Sequence, residues 1–285
     1  MAVSISDEEA GDLTETRVDR VRAVAERMVE VAVAELRLPI LPETASEALA
    51  MANDPGTPMN RLERAVGRDA VLASRMLMVA SSAAYAGASV RTLTSALQRM
   101  GSGTVRDILY QSVMECHVYN GDDQAWARRE RDHAIAVGRI GRLICKQVGL
   151  DAELVFVCGL LHDLGRVALR TPKGGPATAI DPQLRREAEQ IAHTRLGARV
   201  AASWNLPSLV SEATRRHHRY RGFGAQQQGY SQIGHIVAAA DVIAGHLGAG
   251  RPPFGLDNTC LEVICSLGLD PPAMVAAARA ELAGG

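Results

Sequence analysis

Cys158-Gly159-Leu160-Leu161-His162-Asp163-Leu164-Gly165-Arg166 is the stretch whose reading decides the fold. An apolar run beginning at Leu154 ends in an adjacent imidazole and carboxylate, with Gly165 just beyond. Sinking both groups at the end of a buried segment costs several kcal/mol unless partners offset it. Neighbouring residues at a helix end point roughly 100° apart, so one such pair can grip one ion or bridge two. The alternative is an ordinary helix C-terminus, with His162 at the negative dipole end and Asp163 solvated. The rest of the chain decides between them.

Bulk composition narrows the classes. The chain has 285 residues, enough for one large domain or two small ones. Aromatic residues are only 4%, so the core is built from Ala, Val, Leu, Ile and Met, which favours close helix packing over a sheet sandwich. A formal net charge of −1 provides no field for steering a nucleic acid polymer or an anionic membrane. Two lysines, Lys146 and Lys173, stand among 31 basic residues; this skew reads as genomic composition. Cys116, Cys145, Cys158, Cys260 and Cys265 form no CxxC and sit in apolar helical contexts, so buried reduced thiols are expected. No signal-peptide core opens the chain and no apolar run reaches about 18 residues, which predicts a soluble cytoplasmic protein.

Helical periodicity accounts for nearly everything. Residues 1–12 are acidic and small and are expected to fray. From residue 13 to 36, Val18, Val21, Val24, Ala25, Met28, Val31, Ala32 and Leu36 form an apolar stripe. That helix could pad the main domain, pair with another protomer or continue a connector. Leu38-Pro39-Ile40-Leu41-Pro42 stops it. Helices are expected at 43–53, 58–66, 69–81 with Asp69 as N-cap, 94–100 and 102–119, with a small-residue loop at 86–90. Asn120-Gly121-Asp122-Asp123 is a polar joint, followed by helices at 124–148, 152–164, 182–205, 207–218 and 232–247, an irregular linker at 171–180, and helices near 256–267 and 271–282. The reading is an all-α multi-helix bundle divided into an N-terminal amphipathic helix (1–37), an N-terminal helical subdomain (38–121), a metal-site subdomain (122–250) and C-terminal helices (251–285).

Polar residues on inward faces carry the chemistry. His133 lies in a stripe with Trp126, Val137, Ile140 and Ile144, and His193 in one with Leu196, Gly197, Val200 and Trp204. His217 aligns with Val210, Ala213 and Thr214, and His218 follows it. Asp241 shares a face with Ile233, Val237, Ala240 and Ala244, a costly place for an unpaired carboxylate. A single inward histidine is commonly a satisfied core residue. The intervals from His133 to His162, Asp163 to His193, His193 to His217 and His218 to Asp241 are 29, 30, 24 and 23 residues, each about one helix out and back. Six or seven N and O donors at one level suit one or two divalent transition ions, and the lack of thiolates argues against structural zinc.

These residues resemble the ordered ligand set of the HD-domain metal-dependent phosphohydrolases. Leu38-Pro39-Ile40-Leu41-Pro42, Asn53-Asp54-Pro55, Arg68-Asp69-Ala70-Val71-Leu72-Ala73-Ser74-Arg75-Met76-Leu77, Ala80-Ser81-Ser82-Ala83-Ala84-Tyr85, Leu93-Thr94-Ser95-Ala96-Leu97 and Trp204-Asn205-Leu206-Pro207 resemble the narrower HDOD domain, the HD-related output domain of bacterial signalling proteins. The likeness runs from about residue 38 to 247. It implies an all-α HD/HDOD-like bundle acting in signal transduction with protein partners such as receivers and regulators. It also implies one ion held by His133, His162, Asp163 and Asp241, with Asp163 bridging to a second held by His193, His217 and His218. Iron or manganese is favoured, with zinc, nickel or magnesium as alternatives. HDOD proteins commonly lack parts of this set and serve as output or scaffold modules, whereas the complete set is closer to the HD-GYP branch that hydrolyses cyclic di-GMP.

Three departures weaken the enzyme reading. Arg219-Tyr220-Arg221-Gly222-Phe223-Gly224 stands where HD-GYP proteins carry Gly-Tyr-Pro, the lysine that usually follows the HD pair is Arg166, and Arg129 stands where some members place a further acidic ligand. The expected function is therefore an HDOD output module that retains a metal site and acts mainly through protein partners. A metal-dependent phosphohydrolase acting on a cyclic dinucleotide or nucleotide is the second reading, and a purely structural scaffold the third. In the second, Asp163 and Arg166 are the catalytic candidates, and Arg215, Arg216, Arg219 and Arg221 either stabilise phosphate charge or merely complement a helix dipole. A cyclic dinucleotide or phosphate ligand and oligomerisation through the N-terminal helix remain open.

Overall fold

A computed structural model describes residues 7–34, 41–82, 90, 92–119, 123–150, 154–170, 181–218 and 232–284. Among these the chain forms helices and no strand, as the periodicity requires. The N-terminal group is α2 (Glu43–Asn53), α3 (Met59–Gly67), α4 (Ala70–Ala80), α5 (Leu93–Met100) and α6 (Ser102–Val113). Leu49, Leu62, Val66, Leu72, Met76, Leu97 and Leu109 are all buried there. Asp69 caps α4 as its position predicts, accepting from the backbone N–H groups of Val71 and Leu72. The single helix expected over 102–119 instead ends at Val113 and passes into one turn of π-helix, Met114–Val118.

The N-terminal helix α1 (Asp7–Ala34) starts within the stretch expected to fray. Its i, i+4 stripe of Val21, Ala25, Val29 and Ala32 is buried, and the helix packs on α10 (Pro182–Ser203) of the same chain. Arg17 pairs with Glu187 at 2.9 Å and Arg195 with Glu26 at 3.2 Å along that seam. Of the three roles left open for α1, padding the main body accounts for the buried face. Val18, read as part of the stripe, continues it toward the N-terminus but is 44% exposed.

The second group is α7 (Gln124–Gln147), α8 (Val155–Leu161), α9 (Leu164–Arg170), α10, α11 (Ser208–Arg216) and α12 (Gln232–His246). The helix expected over 152–164 is in fact two, α8 and α9, joined by a turn at His162 and Asp163. The His162 ring donates from Nδ1 to the carbonyl of Gly159 at 2.7 Å, satisfying a carbonyl at the end of α8 and closing that helix early. Every residue of α8 is buried, and α12 is buried continuously from Ile236 to Gly245. Asp107 of α6 pairs with Arg142 of α7, whose guanidinium lies 4.6 Å from the Phe156 ring centre, so a buried charge ties the two groups together. Finally α13 (Asn258–Cys265) and α14 (Pro271–Ala283) return to the body, with Met274 and Ala278 buried and Arg139 bonded to Glu281.

A backbone contact sets the level of the polar residues. Gly165 on α9 lies so close to α10 that a Cβ there would sit 1.9 Å from the carbonyl oxygen of His193 and 2.6 Å from the amide of Gly197. A methyl group at Gly165 must push apart the helices that bear Asp163 and His193. Gly103 on α6 has nothing within 4 Å of that position and serves as the control. We expect Gly165→Ala to cost at least about 1–3 kcal/mol and to lower the melting temperature by several degrees, while Gly103→Ala is neutral or slightly stabilising. Thermal melts followed by circular dichroism check this; equal melting temperatures for the two variants would refute the close-contact reading.

Candidate metal centre

The seven predicted ligands arrive from five elements. His133 comes from the middle of α7, His162 and Asp163 from the α8–α9 turn, His193 from α10, His217 and His218 from the end of α11, and Asp241 from α12. The structure brings all seven together. Asp163, His193, His217 and His218 form one group and His133, His162 and Asp241 another, with the ligand atoms of each group within 4.8 Å of one another. His162 and His217 are 0% exposed, His133 and His193 1%, so this is a dry site rather than a surface cluster. His218 is the half-buried member, its Nδ1 3.8 Å from Asp241 Oδ2, so that it lies between the groups.

Four imidazoles are oriented in one way. His133, His162, His193 and His217 place Nδ1 against the backbone carbonyls of Ala249 (3.1 Å), Gly159 (2.7 Å), Glu189 (2.8 Å) and Thr214 (3.0 Å). A carbonyl only accepts, so Nδ1 carries the hydrogen and a neutral ring turns its Nε2 lone pair inward. His133 Nε2 then stands 3.0 Å from Asp241 Oδ1, and His193 and His217 Nε2 stand 3.2 and 3.3 Å from Asp163 Oδ1 and 3.3 Å from each other. Lone pairs thus face lone pairs in a dry interior. Asp163 Oδ1 and His162 Nε2 are buried without a hydrogen-bond partner. A cation resolves that conflict, and imidazole with carboxylate is the chemistry of a divalent metal. The residues fit such an ion. Thiolate takes no part: the buried Cys158 thiol is pushed up to about 12 by burial, and the cysteines are free, with Cys265 exposed against expectation.

The electrostatics agree. Burial disfavours charge on Asp163, yet Arg166, His162 and Arg251 outweigh it and hold the carboxyl well below its usual range. Asp241 is held down likewise, burial being outweighed by His133 and His162. Burial also opposes protonation of His162, but Asp163 and Asp241 overcome it and raise the imidazole to about 10, so without an ion this one ring carries a proton on Nε2, between the carboxylates where a cation would replace it. His217 and His218 are lowered, first by burial, and stay neutral.

Two residues of the site escaped the sequence reading. Arg251 donates to both Asp163 and Glu130, and Glu130 is buried on α7 one turn before His133. Glu130 is legible in principle, since i−3 shares the face of His133 as Arg129 at i−4 does. Arg251 had no local signal and lies beyond the expected boundary at 250. Its position depends on Gly250, whose φ of +69° and close approach, with a Cβ position 2.1 Å from the carbonyl of Arg129, fold the chain onto α7. Arg166 bonds Asp163 Oδ2 at 2.9 Å and Gln190 at 3.3 Å. Arg215, a phosphate candidate, is exposed and lines a surface cleft with Glu26, Glu30 and Arg199 instead. Arg219, Arg221 and the rest of 219–224 lie outside the described residues, as do the 86–89 part of the expected loop and the 171–180 linker.

Comparison with known proteins now places the chain. A model of the HDOD domain matches residues 38–220. The chain belongs to the HDOD domain family. An uncharacterised protein of Treponema pallidum (strain Nichols) is 25% identical over 202 residues, 64% of this chain and 37% of its own length. Ribonuclease Y of Mycoplasma mycoides is 31% identical over 120 residues, 42% of this chain and 22% of its own. This HDOD protein therefore spans well under half the length of those curated relatives. Among solved structures, an HDOD domain protein of unknown function from Geobacter sulfurreducens has a TM-score of 0.67 at 20% identity, covering 91% of this chain and 96% of that one. A candidate metal-dependent phosphohydrolase from Shewanella amazonensis SB2B has 0.63 at 20%, covering 91% and 99%. A candidate signal transduction protein from Marinobacter aquaeolei VT8 has 0.58 at 17%, covering 92% and 63%. At these identities the likeness is one of fold. No helix among the described residues is long and apolar enough to cross a membrane.

A metal that binds the native site but not the unfolded chain raises stability by mass action. Exhaustive dialysis against a chelator is expected to lower the melting temperature, and micromolar Mn2+ or Fe2+ to restore it. His193→Ala should remove that response. Calorimetric scans check this; a melting temperature indifferent to chelator and ion would count against a metal centre.

Proposed function

We propose that this HDOD protein is a bacterial signalling output module which retains a metal centre and acts mainly through protein partners, in the cytoplasm. The observation that carries this reading is the state of the two cations nearest the cluster. Arg166 and Arg251 are both bonded to Asp163, and Arg251 also to Glu130. A phosphohydrolase needs free cationic donors aimed at the developing phosphate charge. Here those donors orient a ligand instead. Iron or manganese suits the His-rich, thiol-free set best. The centre then serves as a buried clamp on the elements that carry its ligands. We propose the division at 38–121 and 122–250, with every ligand of the clamp in the second part.

The second reading is metal-dependent hydrolysis of a phosphoester, such as a cyclic dinucleotide, and it is favoured by the completeness of the seven-residue donor set. When bound, a divalent ion supplies a hydroxide at neutral pH and neutralises phosphate charge. In that reading Asp163 and Asp241 hold their charge as ligands, and Arg166 must swing from Asp163 to meet substrate.

The two readings part in one assay. Protein loaded with Mn2+ or Fe2+ is offered cyclic di-GMP and p-nitrophenyl phosphoesters, with Asp163→Ala as control. The output-module reading expects turnover no faster than in the control. Metal-dependent turnover that Asp163→Ala reduces by about a hundredfold or more would establish the hydrolase instead.

A further inference from the structure

A carboxylate has about four lone-pair sites, two on each oxygen. At Asp163 the two oxygens are in opposite states. Oδ2 accepts from Arg166 Nε at 2.9 Å and from Arg251 Nη2, so its sites are filled by charge-assisted bonds. Oδ1 is buried with no donor and faces the Nε2 atoms of His193 and His217 at 3.2 and 3.3 Å. The oxygen toward His162 is Oδ2, 3.4 Å from His162 Nε2. An ion among His133, His162 and Asp241 would therefore reach Asp163 only through the oxygen already taken.

Arg251 is built into this position. It arrives from a turn remote in sequence, made by Gly250, and the same Nη2 that donates to Asp163 also donates to Glu130 Oε2. Its side chain is 21% exposed, Glu130's 10% and Asp163's 4%, so the three form a mostly buried acid–base–acid row. Arg166, by contrast, is one turn along from Asp163 and shares itself with Gln190.

We propose that Arg251, anchored by Glu130, closes Asp163 Oδ2 to metal and so sets the stoichiometry of the centre. One ion is held tightly by Asp163 Oδ1, His193, His217 and His218. The position formed by His133, His162 and Asp241 lacks the bridging carboxylate and is weak. This rests on the metal-centre reading above and replaces the symmetric pair of ions that the family resemblance implies.

The test is a Mn2+ titration of chelator-treated protein, read by equilibrium dialysis with elemental analysis and by electron paramagnetic resonance. Wild type is expected to take one ion per chain, with any second at least tenfold weaker and no exchange-coupled signal. Arg251→Ala is expected to take two of comparable affinity with the coupled dimanganese spectrum, and Arg251→Lys to keep one. His193→Ala loses the tight ion and His133→Ala retains it. Two equally tight ions in wild type overturn the proposal, as does a folded Arg251→Ala that still holds one, or loss of the tight ion in His133→Ala. The wild-type and histidine arms decide the matter even if Arg251→Ala does not fold. No Mn2+ bound by wild type overturns the metal centre itself.

Discussion

One buried carboxylate governs this molecule. Asp163 sits where α8 gives way to α9, bonded to Arg166 and Arg251 and facing His162, His193 and His217. Desolvating an ionised carboxyl is costly enough that a fold must surround it with positive charge or lose it to protonation. The chain takes the first course. Two guanidinium groups hold one oxygen, while the imidazoles of His193 and His217 face the other. The ring of backbone carbonyls on the far side of the histidines then fixes which nitrogen faces the centre.

The remainder of the architecture can be understood as support for that arrangement. Glycine at the α9–α10 contact allows two backbones to approach until Asp163 and His193 share a level. The α8 segment is buried on every side because it delivers the HD pair to the interior. Among the described residues the N-terminal helices supply none of the seven ligands; they are tied to the helices that do by the Asp107–Arg142 pair and the packing of α6 against α8. The two groups of helices are thus coupled through an ion pair whose acid, Asp107, is buried while its base, Arg142, is half exposed.

Much of this was legible before any coordinates. Residues that recur at 3.6 intervals must share a face, so His133, His193 and Asp241 could be placed inward from their neighbours alone. The adjacent His162 and Asp163 needed no periodicity at all. Element boundaries were less accessible, because the early end of α8 is caused by a bond from the His162 ring to Gly159 rather than by any helix-breaking residue. The run-on from α6 into a π-turn is of the same kind, and we have no physical account of it from sequence. The exposure of Val18 was not legible, because an apolar residue at the end of a stripe has no local mark of whether a partner covers it.

By itself the sequence determined the all-helical class, the seven donors and their order along the chain, since those depend on residue chemistry and local period. Tertiary structure alone decided that Glu130 and Arg251 join them, and that the two oxygens of Asp163 are not equivalent. The reason is physical. A helix period reports which way a side chain points, but which oxygen of a carboxylate is free depends on donors arriving from 88 residues away. Only the closed fold brings them there.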